Sequence, residues 1–329
     1  MKKTMWLLLD DRKGSVGQAQ GVALAVGDRM NIIEKNLTYN VWAKLPNWLR
    51  GKTLLGLDKI RSDSLDSDFP DIVVSISRRT VPVARFIRKT SGNRTKIVQL
   101  MYPDGGVGLK EMDLIVVPQH DSLKKQQISN ALTILGAPTK IFSSVLSEAK
   151  DKWSEIFSNL PRPYTAIIIG GAIKGRPWPL ENAVALAERI KQLHNQCGGS
   201  LFITTSRRTG EEAQNIIMEK LKGIPAYTYI WGEKKENPLL GFYACADRII
   251  ATADSVSMCS EACGTGSPVL LFQSKNWLTK KHLRFAESLI SSGLAVDVTD
   301  ADALDFQPKA VLNEAARIAD KIIEIANKD

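Results

Sequence analysis

Short runs rich in Val, Ile and Leu alternate with amphipathic stretches along nearly the whole chain. In the first part the pattern predicts strands at Met5–Leu9, Asp71–Ser77, Thr95–Leu100 and Leu114–Pro118, then a helix over Ser143–Leu160. Strands resume at Thr165–Ile169, Ser200–Thr205, Ala226–Trp231, Arg248–Thr252, Pro268–Phe272 and Leu294–Val298. Helical periodicity covers Leu180–Gln196, Gly210–Leu221, Pro238–Ala246, Val256–Cys263 and Lys280–Ser292, and a last helix is expected over Pro308–Asn327. The strands are apolar on both faces, as parallel strands covered by helices must be. Repeated βα units of this kind predict an α/β fold with doubly wound parallel sheets. Pro161-Arg162-Pro163 interrupts the pattern and is the expected hinge, dividing the chain into lobes at 1–160 and 161–305 and a C-terminal helix at 306–329.

One device occurs twice. Ile72–Ile76 runs into Ser77-Arg78-Arg79-Thr80 and then a helix, and Leu201–Thr205 runs into Ser206-Arg207-Arg208-Thr209 and then another. Two Rossmann-like lobes facing each other across a cleft are the simplest account of the repetition.

Composition narrows the class. A length of 329 residues suits two domains, and 44% hydrophobic with 24% charged residues excludes disorder and fibrous repeats. No apolar run approaches the roughly 18 residues of a membrane-spanning helix. The start, Met1 to Asp10, resembles a signal peptide only briefly: its apolar stretch is short, and two aspartates stand where a cleavage site would be. A cytoplasmic protein is expected, with the inner face of a membrane as a peripheral location.

The formal charge of +9 is uneven. Residues 1–150 hold 23 Lys+Arg against 14 Asp+Glu, whereas residues 151–329 hold 21 of each. The first half is therefore expected to meet something anionic, and an anionic membrane surface is a candidate partner. Nucleic acid is not expected, because the basic residues are scattered and no recognition motif occurs. Cys197, Cys245, Cys259 and Cys263 include no C-x-x-C pair, and two thiolates make a poor zinc site. They are read as buried small side chains, and neither metal nor other cofactor is expected.

In doubly wound sheets ligands lie at the carboxyl ends of strands, where helix N-termini offer free N–H groups. Four loops have that placement. The first strand runs into Asp10-Asp11-Arg12-Lys13-Gly14-Ser15-Val16-Gly17-Gln18, whose glycines are expected to form a tight turn that approaches a ligand. A second loop is Gly170-Gly171-Ala172-Ile173-Lys174-Gly175, and the two SRRT segments add guanidiniums beside helix starts. The most informative stretch is Ala253-Asp254-Ser255-Val256-Ser257-Met258-Cys259-Ser260-Glu261. Here Ser255 and Ser257 are expected to cap a helix and to donate to a diphosphate. Glu261, about one turn on, is placed to accept bonds from a ribose diol; a capping box is the plainer reading of the same spacing.

This last stretch is similar to the donor-binding segment of GT-B glycosyltransferases and UDP-GlcNAc 2-epimerases. The whole chain resembles the mitochondrial-fission ELM family. The resemblance rests on DDRKGSVGQAQG at 10–21, MDLIVVPQHD at 112–121, IIIGGAIKG at 167–175, FITTSRRTGEEA at 202–213, IWGEKKENP at 230–238 and TADSVSMCSEACGTGSPV at 252–269. Two positions depart from it: Asp10-Asp11 stands where Asp-Gly is common, and Met101-Tyr102-Pro103-Asp104 stands where a Pro-Arg pair is common. The resemblance implies GT-B-like lobes, with the last helix crossing back toward the first. It leaves activity open, since plant members are associated with recruiting a dynamin-related protein to the mitochondrial outer membrane.

Three functions follow. In the first, a metal-independent glycosyltransferase, the second lobe holds a nucleotide-diphosphate sugar, a UDP-sugar first among them. Gly170, Gly171, Ser206, Arg207, Arg208, Ser255 and Ser257 surround the diphosphate and Glu261 meets the ribose. Trp231 and Asn237 lie toward the base, and Gly14 and Gln18 come from the first loop. His120, beside Asp121 at a strand end, is the expected general base, with Asp10 or Asp11 as the alternate. The second function, an epimerase, keeps the donor site, but residues 254–262 lack the glycine pair and Gln of D-S-G-G-x-Q-E-E-A. The third is a catalytically idle adaptor that recruits a partner protein.

Overall fold

A computed structural model describes residues 2–11, 13–66, 68–121 and 128–328. The chain forms two compact units, one of Met1–Lys140 with Asn313–Asp329 and one of Ile141–Leu312. Among the described residues each unit holds one parallel sheet of six strands.

In the first unit the strands are β1 Thr4–Leu9, β2 Asn31–Asn36, β3 Ile72–Ser75, β4 Lys96–Leu100, β5 Leu114–Pro118 and β6 Ala131–Ile134, in the order β2-β1-β3-β4-β5-β6. Helix α1 (Lys13–Val26) follows β1, the short α2 (Asn47–Arg50) lies between β2 and β3, and α3 (Thr80–Thr90) follows β3. Alternation in β1 sends its residues to two cores. Met5, Leu7 and Leu9 pack with Val22 and Val26 of α1, while Trp6 and Leu8 pack with Val81, Val83 and Ile87 of α3. A strand buried on both faces has no polar positions to spare, which is why its hydropathy pattern is continuous.

The second unit begins with α4 (Ser143–Phe157) and then runs β7 Tyr164–Ile169, α5 Leu180–Cys197, β8 Ser200–Thr205, α6 Glu211–Lys220 and β9 Ala226–Tyr229. It continues with α7 Leu239–Cys245, β10 Arg248–Thr252, α8 Val256–Gly264, β11 Val269–Phe272, α9 Lys280–Ser291 and β12 Val296–Asp297. The strand order β12-β11-β10-β7-β8-β9 is that of dinucleotide-binding sheets, whose switch point here falls between β7 and β10.

Helix α4 precedes the Pro161–Pro163 break yet belongs to the second unit. Its Phe157 ring lies 4.4 Å from Phe202 of β8 and 5.8 Å from Phe242 of α7. A Cβ on Gly241 would meet the Trp153 ring at 2.4 Å, so α7 lies directly on α4. The final helix, α10 (Glu314–Asn327), joins the first unit, where Ile318, Ala319 and Ile322 enter the same core as α1. Lys96 donates to the Ile325 carbonyl at 3.0 Å and Lys3 to that of Ala326, satisfying its C-terminal end. Among the described residues no helix is long and apolar enough to cross a membrane.

Candidate functional site

The switch point of the second sheet is built around a buried carboxylate. Asp254, just past the end of β10, is 3% exposed and ion-paired to Arg208 at 2.7 Å. The Gly171 N–H donates to its Oδ2 at 3.0 Å and the Thr252 hydroxyl to its Oδ1 at 2.7 Å. Burial pushes the Asp254 carboxyl above its ordinary range, with Arg208, Thr252 and Gly171 opposing the shift.

The Gly170-Gly171 pair is shaped by this network. A Cβ on Gly170 would stand 2.1 Å from an Asp254 carboxylate oxygen, and one on Gly171 would stand 2.0 Å from the Arg208 carbonyl oxygen. Their backbone groups are also taken. The Gly170 N–H donates to Thr252 Oγ1 at 2.7 Å, its carbonyl accepts from Ser206 and Thr209, and the Gly171 carbonyl accepts from the buried Trp277 indole at 3.0 Å. The N–H donors expected for a diphosphate are therefore engaged inside the protein, and the glycines serve close packing. Arg208 is likewise engaged with Asp254, and the Ser206 hydroxyl donates to the Gly170 carbonyl at 2.8 Å.

Other groups on this carboxyl edge remain presented. Arg207 is exposed and takes no ion pair among the described residues. Ser255 caps α8 by accepting from the Met258 N–H, whereas the Val256 and Ser257 N–H groups at its tip take no partner among the described residues. One turn along, Glu261 is held through Oε2 by the hydroxyl of buried Tyr243 at 3.3 Å. Trp231, just past β9, is 56% exposed, with its N–H on Thr205 Oγ1. Asn237 is exposed, and its Oδ1 accepts from the Leu239 N–H at the start of α7. Burial, Lys281 and Arg208 hold the His282 imidazole below its ordinary range, which places it within the field of this network.

The first unit repeats the device. Arg79, the counterpart of Arg208, reaches Asp10 at 3.1 Å and Asp11 at the end of β1. Burial works against its charge, but hydrogen bonds to Asp11 and Asp10 outweigh it and raise its pKa. The counterparts of Arg207 and Arg208 are thus both occupied here, since Arg78 donates to the Ala43 and Leu45 carbonyls at 2.8 and 2.9 Å. The expected tight turn at Gly14 is instead the first turn of α1, which also carries Gln18. Gly14 and Gly17 have open space where a Cβ would be, while Gly21 faces the Thr139 carbonyl oxygen, 2.4 Å from a Cβ there.

His120 and Asp121 follow β5; His120 is buried, and the Asp121 N–H donates to the Pro118 carbonyl at 2.9 Å. Asp11 follows β1, three strand positions away in the sheet, or about 14 Å at ordinary strand spacing. The candidate bases thus stand at the ends of different strands. Between them lies a cavity of about 610 Å³ lined by Ser15, Arg78, Gln99 and Tyr102 among others, which the sequence did not reveal. Gln99 is 1% exposed, and its Oε1 has no partner among the described residues. Met101, at its rim, has φ of 108°, strained for a residue with a side chain.

A family model described as mitochondrial fission ELM1 matches residues 13–325. The chain belongs to the mitochondrial fission ELM1 family. It is 28% identical to protein RP120 of Rickettsia prowazekii, with 98% of each chain covered. It is also 28% identical to mitochondrial fission protein ELM1 of Arabidopsis thaliana over 81% of this chain and 66% of that one. Among solved structures it is similar to the UDP-GlcNAc 2-epimerase of Neisseria meningitidis bound to UDP-GlcNAc, with TM-score 0.54, 11% identity and coverage of 99% and 100%. MurG of Acinetobacter baumannii follows, with TM-score 0.51, 14% identity and the same coverage. At such identities the likeness carries the GT-B fold alone.

Proposed function

We propose that the second unit binds a nucleotide-diphosphate sugar, a UDP-sugar first among them, and that the protein transfers the sugar to an acceptor without a metal. The observation that carries this reading is the tip of α8, which lies at the switch point with two N–H groups unpartnered among the described residues. In this reading the diphosphate sits on the Val256 and Ser257 N–H groups and the Ser257 hydroxyl, with Arg207 supplying positive charge. Glu261, oriented by Tyr243, accepts from the ribose diol, and Trp231 with Asn237 lies toward the base. Helix-end dipole and guanidinium would stabilise the leaving diphosphate. Gly170, Gly171, Ser206 and Arg208 form the floor beneath it. His120 is assigned the acceptor's proton.

The reading is tested by thermal shift with UDP-, GDP- and ADP-sugars. A stabilisation by one nucleotide sugar, lost in Glu261→Ala, supports it; no response to any of them contradicts it. A second reading, a partner-recruiting protein without turnover, is favoured by one observation: the glycine-pair donors are taken by Asp254 and Thr252. Transfer of sugar to an acceptor by wild type, with no transfer by His120→Ala, separates the two.

A further inference from the structure

The connection between β2 and β3 supplies six of the thirteen large apolar side chains exposed among the described residues: Val41, Trp42, Trp48, Leu49, Leu55 and Ile60. Trp48 is 69% and Trp42 56% exposed. This concentration is not a frayed loop, because the inner side of the same segment is pinned. Ala43, Asn47 and Arg50 are buried. Asn47 donates to the Arg78 carbonyl at 2.9 Å, Arg50 to the Leu55 carbonyl at 2.9 Å, and Arg78 returns bonds to the Ala43 and Leu45 carbonyls. Gly56 lies so close that a Cβ there would stand 2.8 Å from the Ala43 nitrogen. The buried polar groups fix a platform whose outer side is apolar. Clustered apolar exposure of this kind marks an interaction surface.

The charge selects the occupant. From Val41 to Ile60 the segment holds Lys44, Arg50, Lys52 and Lys59 against a single acidic residue, Asp58, whose carboxylate accepts from the Ile60 and Arg61 N–H groups. Lys44 is exposed between the two tryptophans. The unit that carries the platform holds 25 Lys+Arg against 17 Asp+Glu, a net +8. A second copy would bring +8 against +8, which disfavours self-association. An anionic bilayer offers the opposite sign together with an apolar interior. Tryptophan suits its headgroup region, where the indole body is buried and the N–H stays wet.

We infer that this platform docks on an anionic phospholipid surface, with Trp42 and Trp48 entering the headgroup layer and Lys44 facing the lipid phosphates. The inference is independent of the nucleotide site and stands if that reading fails. It is tested by flotation of the full chain with vesicles rich in phosphatidylglycerol and with pure phosphatidylcholine. The expected result is flotation with the anionic vesicles, weakened about tenfold or more in W42S/W48S with an unchanged melting temperature, and weakened in K44E. Three results overturn it: no flotation of wild type, equal flotation with both vesicle types, or W42S/W48S floating as wild type does. Should W42S/W48S not fold, brominated phosphatidylglycerol decides. Quenching of wild-type tryptophan fluorescence supports the inference, and its absence overturns it.

Discussion

The Arg208 guanidinium stands 2.7 Å from the fully buried Asp254 carboxylate, and Arg79 likewise holds Asp10 and Asp11 in the other sheet. The second arginine of each SRRT segment therefore serves the fold by neutralising a carboxylate at the end of another strand, β1 beside β3 in the first sheet and β10 across β7 from β8 in the second. Removing the cation leaves that carboxylate buried without its ion pair. Arg208→Ala is expected to cost about 3 kcal/mol, measured by urea denaturation. Arg207→Ala, at the exposed first arginine, is expected to stay within about 0.5 kcal/mol of wild type.

Asp254 also gives stability a pH dependence of defined sign. Its folded-state pKa is raised, so its contribution is fully present below the unfolded value of about 3.9 and is lost as pH rises through the folded value. Asp254→Asn removes that loss. Its stability relative to wild type should therefore climb as pH is raised from about 3.9 through the titration of the buried carboxyl, read from denaturation midpoints across that window.

The glycines separate by what surrounds them. Gly170→Ala and Gly171→Ala place a Cβ within 2.1 and 2.0 Å of the Asp254 carboxylate and the Arg208 carbonyl oxygen, and each should cost about 3 kcal/mol or more. Gly14→Ala, in α1 with nothing within 4 Å of the new Cβ, should stabilise by about 1 kcal/mol. Thermal melts of the three variants give the comparison directly.

Burial should also silence three thiols. Cys245, Cys259 and Cys263 are buried, and burial pushes the Cys263 thiol up to about 12, whereas Cys197 at the end of α5 is half-buried. Native protein treated with iodoacetamide should carry one adduct, on Cys197, in peptide mass spectra. The sequence reading of all four cysteines as buried holds for three.

What was legible in the sequence follows from how each element is buried. β1, β5, β7, β8 and β10 are apolar on both faces and stand out as runs. β2, with the sequence Asn-Ile-Ile-Glu-Lys-Asn, is a largely exposed edge strand, and its polar composition hid it. Glycines at 14, 17 and 21 made α1 read as a turn, although only Gly21 answers a close approach. The unit boundary at Lys140–Ile141 is marked only by Gly136 and Pro138 just before it, whereas the more conspicuous Pro161–Pro163 break lies inside the second unit. The strand-SRRT-helix echo was visible, but its partners, Asp254 for Arg208 and Asp10 with Asp11 for Arg79, are distant in sequence. Chain periodicity carries no record of such pairs.

The account turns on whether the α8 tip grips a diphosphate, and calorimetric titration of the full chain with UDP and with uridine tests this most directly. UDP is expected to bind and uridine to bind at least about tenfold more weakly, with Arg207→Ala and Ser257→Ala each weakening UDP by about tenfold while leaving the melting temperature unchanged. Equal binding of UDP and uridine, or UDP affinity untouched by both substitutions, would contradict it.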